Sequence, residues 1–167
     1  MSNTTKYTTE QIWEFLSEIP DPEIPVINIV ELGVLRKVEI SNNSIIVSIT
    51  PTYSGCPAMK AFEDDIKTKL KEKGITNFEI NTIHSPAWTT DWINEEALLK
   101  LKNYGIAPPI KGTEDKGTLF GSDLKTVQCP QCNSKNTSLT SQFGSTACKA
   151  LYQCKDCLEP FDYFKCI

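Results

Sequence analysis

The chain has 167 residues, 40% hydrophobic and 23% charged, with a formal net charge of −4. This is a globular composition long enough for one ordinary domain and a small appendage. It lacks the surplus of Lys and Arg that phosphate recognition needs, and no apolar run approaches the ~20 residues that cross a bilayer.

Thr8 and Gln11 have the spacing of a capping box. Ile12, Phe15, Leu16 and Ile19 then follow a helical stripe that Pro20 stops. PDPEIP, from Pro20 to Pro25, holds Asp21 and Glu23 in a stiff extended loop. Rigid carboxylates there could help hold a hard metal ion or orient a thiol, although the residues alone favour a plain solvated connection. Val34, Val38 and Ile40 alternate with Leu35, Lys37 and Glu39 as in a half-buried strand. SNNS is a turn, and Ile45, Val47 and Ile49 form a second strand, so the pair predicts a hairpin. Phe62, Ile66 and Leu70 mark the buried face of a helix that Gly74 ends. Glu63–Lys67 and Asp65–Lys69 are its expected i,i+4 pairs. A third strand is expected over Phe78–Ile83, then a helix capped by Asp91 that carries Ile93, Ala97, Leu98 and Leu101 and ends near Gly105. The order is α-β-β-α-β-α.

This layout puts Cys56 of TPTYSGCPAMKAF at the start of the second helix. Gly55 permits a tight strand-to-helix turn, and Pro57 suits a first helical position. Free amides and the helix dipole favour negative charge there, which makes a thiol a better nucleophile or metal ligand. Cys56 is read as a functional thiol over its alternative, a small buried apolar residue. His84, the one histidine, would be its base in an enzyme dyad, the main competing account. Trp13, Trp88 and Trp92 read as core anchors.

The opening MSNTTKYTTE lacks the basic start and apolar stretch of a secretory signal, so a cytoplasmic location with reduced thiols is expected. Seven cysteines in that compartment read as metal ligands or reactive thiols. Six fall between Cys129 and Cys166, beyond KGTEDKGTLFGSD, which has the Gly and charge content of a linker. The expected division is 1–110 for the first domain, 111–124 for the linker and 125–167 for a cysteine-rich domain. Cys129–Cys132 and Cys154–Cys157 are two CxxC pairs with 21 residues between them. Two such turns can complete a tetrahedral four-thiolate site, so a structural zinc ribbon is expected, ahead of a redox pair or an iron site of the same shape. Metal binding would supply much of the folding free energy of so small a unit. Cys148 is open between extra ligand, transfer thiol and buried apolar residue, and Cys166 is taken as incidental. From Lys125 onward there are five Lys and three acidic residues. With four thiolates on a dication the domain is close to neutral, which favours protein docking over a nucleic-acid-binding module, the second competing account.

DPEIPVINIVELGVL and ITPTYSGCPAMKAFEDDI resemble the small α/β domain of iron–sulfur assembly proteins, the SufT-like family and the targeting factors of cytosolic iron–sulfur assembly. SPAWTTDWI, CPQC, FGSTACKAL and EPFDYFK narrow the resemblance to the PaaD (PaaJ) family, the accessory or maturation subunits of phenylacetyl-CoA epoxidase, a phenylacetyl-CoA oxygenase. The implied architecture is α+β, an iron–sulfur-assembly-like α/β domain followed by a four-cysteine zinc ribbon. The implied function is maturation of the oxygenase in phenylacetate degradation, by helping to insert iron or an iron–sulfur cluster into its di-iron or reductase subunit. On this resemblance Cys56 is the transient iron or cluster site, supported by Asp21 and Glu23, with no catalytic residue. Cys129, Cys132, Cys154 and Cys157 hold structural zinc. The implied partners are the oxygenase subunits, iron–sulfur assembly proteins and a second copy in a homodimer, with neither nucleic acid nor membrane.

Overall fold

The computed structural model describes residues 6–110 and 126–165. The expected linker segment and Cys166 lie outside them. Two compact units divide at Trp88/Thr89.

The first unit opens with α1 (Thr9–Ser17). Thr8 Oγ1 accepts from the Gln11 amide at 3.3 Å, and the Thr8 amide donates to Gln11 Oε1 at 3.0 Å, so the capping box forms in full. Ile12, Leu16 and Ile19 are buried. Phe15 is half-buried, with the Tyr7 ring standing edge-on at 5.1 Å. The Pro-rich loop is more than a connection, because Ile24, Ile27 and Ile29 are as buried as any helix residue. A bridge between Pro20 and Asn28 closes its base.

β1 (Leu35–Ser41) and β2 (Ser44–Ile49) form the expected hairpin. Asn42 and Asn43 both have positive φ, 47° and 64°, as a two-residue turn matched to strand twist requires. The regular alternation expected for β1 is interrupted by a bulge between Leu35 and Lys37. Val34 and Leu35 are therefore both buried. Ile40, expected to extend the buried face, is 37% exposed.

α2 (Ala58–Glu72) buries Phe62, Ile66 and Leu70. Gly74, at φ +78°, ends it. The Gly74 amide bonds Lys71 O and the Ile75 amide bonds Leu70 O, both at 2.9 Å, the paired bonds of a Schellman motif. Glu63 pairs with Lys67 as expected, at 3.6 Å. Lys69 instead reaches Glu18, beyond α1, at 3.0 Å, and Glu72 at 3.8 Å. β3 (Phe78–Thr82) then runs parallel to β2, giving the sheet order β1-β2-β3. Trp88 anchors the end of this unit, its Nε1 donating to Leu32 O at 2.9 Å.

The second unit begins with a 3₁₀ turn (Thr90–Trp92) and α3 (Glu95–Tyr104). Asp91 does not cap α3, because it lies inside the 3₁₀ turn. Asn94 does, its Oδ1 accepting from the Ala97 amide at 2.7 Å. Gly105, at φ +94°, closes the helix. β4 (Ile106–Ala107) pairs parallel with β7 (Pro160–Phe164), while β6 (Lys149–Cys154) lies antiparallel between β7 and β5 (Thr137–Ser141). Where the sequence places a boundary at 110, backbone pairing thus groups α3 and β4 with the cysteine-rich sheet. Ala107 joins Val127, Ala150, Tyr152, Phe161 and Tyr163 in that sheet's core.

Candidate metal centre and thiol turn

Both CxxC pairs fold as the same knuckle. The Cys129 amide donates to Ser134 O, and the Cys154 amide to Glu159 O, each five residues on and each at 2.9 Å. The residue after each second cysteine has positive φ, Asn133 at 61° and Leu158 at 65°. The first cysteine of each pair is buried and the second exposed. The knuckles face each other so that all four sulfurs lie within 4.8 Å. Cys129 Sγ stands 3.7 Å from Cys157 Sγ, and Cys132 Sγ 3.6 Å from Cys154 Sγ.

These separations fit a metal ion. Four sulfurs at ~2.3 Å from one centre have tetrahedral edges of about 3.8 Å. A disulfide needs about 2.05 Å. The local field also favours a first thiolate. The amides of Cys157 and Asp156 hydrogen-bond Cys154 and hold its thiol down at about 7. The Glu159 amide pulls Cys157 the same way, but desolvation and hydrogen bonds to Cys132, Cys154 and Cys129 win and push it up to about 12. A second anion beside the first is resisted, so a bound cation is what keeps all four ionised.

Cys148 lies outside this group. It is buried, with its Sγ 3.0 Å from Thr146 Oγ1.

Cys56 sits where β2 hands the chain to α2. In a β-α-β unit this connection leaves the carboxyl end of a parallel strand and enters a helix amino terminus, a usual place for ligands. The Cys56 amide bonds Tyr53 O at 3.2 Å, with Gly55 at φ +78° inside the turn. A Cβ on Gly55 would meet no atom within 4 Å, so the need for glycine there is conformational. Pro57 occupies the helix cap and Cys56 lies just outside it. α1 and α3 have side-chain caps, whereas no side chain caps α2. Cys56 is half-buried, within reach of solvent, and Thr52 Oγ1 donates to its Sγ at 3.8 Å. Thr50, at the end of β2, is 1% exposed, and its hydroxyl has no hydrogen-bond partner. His84 is exposed and makes no hydrogen bond to Cys56.

Asp21 is buried, and its Oδ1 accepts from the amides of Glu23 at 2.8 Å and Ile24 at 2.7 Å. That carboxylate therefore shapes the Pro-rich loop. Glu23 is half-buried. Among the described residues, Cys56, Asp21 and Glu23 do not form a second group of mutually close ligand atoms. Sequence reasoning missed the buried Glu31. Its Oε2 accepts from the Asn28 amide at 3.0 Å, while Asn28 Oδ1 accepts from the Val30 and Glu31 amides. The Asn-x-x-Glu spacing is a capping-box signal that was legible in the chain.

Residues 9–80 match the iron-sulfur cluster assembly protein family, and residues 113–165 match the PaaD zinc beta ribbon domain. A putative 1,2-phenylacetyl-CoA epoxidase subunit of Escherichia coli (strain K12) is 47% identical over 158 residues, spanning 94% of this chain and 92% of its own. The Fe-S protein maturation auxiliary factor of Porphyromonas gingivalis (strain ATCC BAA-308 / W83) is 34% identical over 60% of this chain and 97% of its own. Among solved structures, a DUF59 domain of unknown function from Bacillus anthracis has a TM-score of 0.52 at 26% identity, covering 56% of this chain and 90% of its own. The conserved hypothetical protein TM0487 from Thermotoga maritima has a TM-score of 0.50 at 26% identity, over 59% of this chain and 97% of its own.

Proposed function

We propose a role in metal-centre maturation from one premise: this chain belongs to the PaaD family of phenylacetyl-CoA epoxidase subunits. In this reading the chain is an accessory factor without catalytic activity of its own. It serves a multicomponent phenylacetyl-CoA oxygenase in phenylacetate degradation. Its cargo is iron or an iron–sulfur cluster, delivered to the di-iron or the reductase subunit. The Porphyromonas gingivalis relative named as an Fe-S protein maturation auxiliary factor and the match of residues 9–80 to the iron-sulfur cluster assembly protein family support the role.

The observation that carries the reading is the setting of Cys56. It is a solvent-reachable thiol at the mouth of a helix that no side chain caps, hydrogen-bonded by Thr52 and not by the histidine. A lone thiolate is a soft ligand with open coordination around its metal, suited to holding iron briefly and releasing it. Asp21 fixes the Pro-rich loop that carries Glu23, and the reading assigns neither carboxylate a direct contact with Cys56. The ribbon's four sulfurs instead close the coordination of a resident zinc and offer a surface for docking a client subunit or an iron–sulfur assembly protein.

The test is co-expression of Cys56→Ala with the oxygenase subunits, followed by iron and acid-labile sulfide analysis of each purified subunit. With the variant, at least one of them should lack its full complement of iron. Full occupancy in every subunit would refute the reading.

A further inference from the structure

The ribbon cage has an exposed side. Cys132 and Cys157 both face solvent, so burial shields only half of the cage. A surface ion site depends on how firmly its two halves are held together. The side chains between the knuckles address that need.

Asp156 is the third residue of the second knuckle, and its carboxylate reaches back to the segment after the first. Its Oδ2 accepts from the Ser134 hydroxyl, and its Oδ1 accepts from Asn136 Nδ2 at 2.7 Å. Asn136 is itself fixed at both ends. Its amide donates to Ser134 Oγ at 3.0 Å, and its carbonyl accepts from the Lys155 amide at 2.8 Å. These bonds close a ring that joins residues 134–136 of one knuckle segment to 155–156 of the other. Asp156 stands between the ligands Cys154 and Cys157, so a carboxylate clasped by the opposite segment fixes the turn that carries both sulfurs. All of these groups are protein atoms, so the ring can form before an ion arrives.

We propose that Asp156, clasped by Ser134 and Asn136, is a positioning residue that keeps the two cysteine knuckles in register and makes the ribbon's metal a slowly exchanging, resident ion. An isolated surface hydrogen bond has little such effect. This one is a network in which each member fixes another, and outer-shell partners of that kind change metal affinity by roughly ten- to a hundred-fold. The inference does not depend on the maturation reading, because its readout is metal release from this chain alone.

The experiment measures zinc release from the loaded full-length protein into excess chromophoric chelator. Asp156→Ala should speed release by roughly ten- to a hundred-fold. The double variant Ser134→Ala/Asn136→Ala should match it. The triple variant should be no faster than Asp156→Ala, as expected of one unit. Cobalt-loaded Asp156→Ala should keep the absorption bands of four-thiolate tetrahedral coordination, which shows that the ligands themselves remain. Leu139→Ala, which loosens packing against the ribbon core without touching the ring, should release zinc at the wild-type rate. If Asp156→Ala cannot be loaded, Ser134→Ala and Asn136→Ala are measured singly, each removing one bond, and each should still speed release. Wild-type release in Asp156→Ala, or in both single variants, overturns the proposal. So does equal acceleration by Leu139→Ala.

Discussion

The ribbon cage and the Cys56 turn are both built from thiols at chain reversals, and they differ in closure. In the cage, two knuckles with matching backbone bonds bring four sulfurs within 4.8 Å. In the turn, one sulfur meets a threonine hydroxyl and a helix mouth that no side chain caps. Closed coordination retains an ion and builds structure around it, whereas open coordination leaves places for another molecule's ligands. The same element stands in two environments, one with four sulfurs together and one with a single sulfur at a helix start. Five substitutions probe this contrast.

Opening the cage should do the most damage. Cys154→Ser removes a buried ligand, and structural zinc is worth about 10–16 kcal/mol in small domains. Zinc content should fall to near zero. The near-ultraviolet signal of Tyr152 and Tyr163 should collapse, since both rings lie in the core beside Cys154. A strong chelator should do the same to the wild-type protein. The helices α1 and α2 should survive both treatments, as read by far-ultraviolet circular dichroism.

Phe62→Ala tests the converse. It empties a site 1% exposed in the first unit and should cost about 3–5 kcal/mol in denaturant unfolding. Zinc content should stay at the wild-type level, and loss of zinc would show that the two regions share one stability.

Much of the molecule was legible because its signals are local. Thr8 and Gln11 satisfy each other across one turn, Asn42–Asn43 needs only its own backbone angles, and each CxxC pair is a four-residue reversal. What escaped depends on distant partners. A two-residue strand such as β4 has no periodicity of its own, and only β7 makes it a strand. Lys69 had a neighbour four residues away but found Glu18, 51 residues distant, at better geometry. Asp91 lost the cap of α3 to Asn94 because a 3₁₀ turn consumed the residues between the strand and the helix. The bulge after Leu35 changed which side chains face inward, and nothing in the alternation of the strand announced it. At the candidate site, Cys56 was legible as a helix-start thiol. The task of Asp21 was not, since a carboxylate that accepts from two nearby amides looks the same in sequence as one that binds a metal.

Two smaller effects separate local from metal-borne stability. Thr8→Ala should cost about 1 kcal/mol through loss of the reciprocal cap of α1, seen as a lower denaturation midpoint with unchanged zinc. Leu158→Gly should gain about 0.5–1 kcal/mol in the ribbon, because leucine at φ +65° carries a steric penalty that glycine avoids. A higher ribbon melting temperature would register it. No gain would mean that contacts of the exposed Leu158 offset the strain.

The proposed division, in which one thiol site keeps its metal and the other exchanges it, can be tested directly by elemental analysis. Wild-type protein and Cys56→Ala would be equilibrated anaerobically with ferrous iron and sulfide, assayed for bound iron, then desalted and assayed for zinc. Both should contain the same zinc, and only the wild type should bind the iron. Equal iron in the two proteins, or zinc lost along with Cys56, would leave the division of labour between the two sites without support.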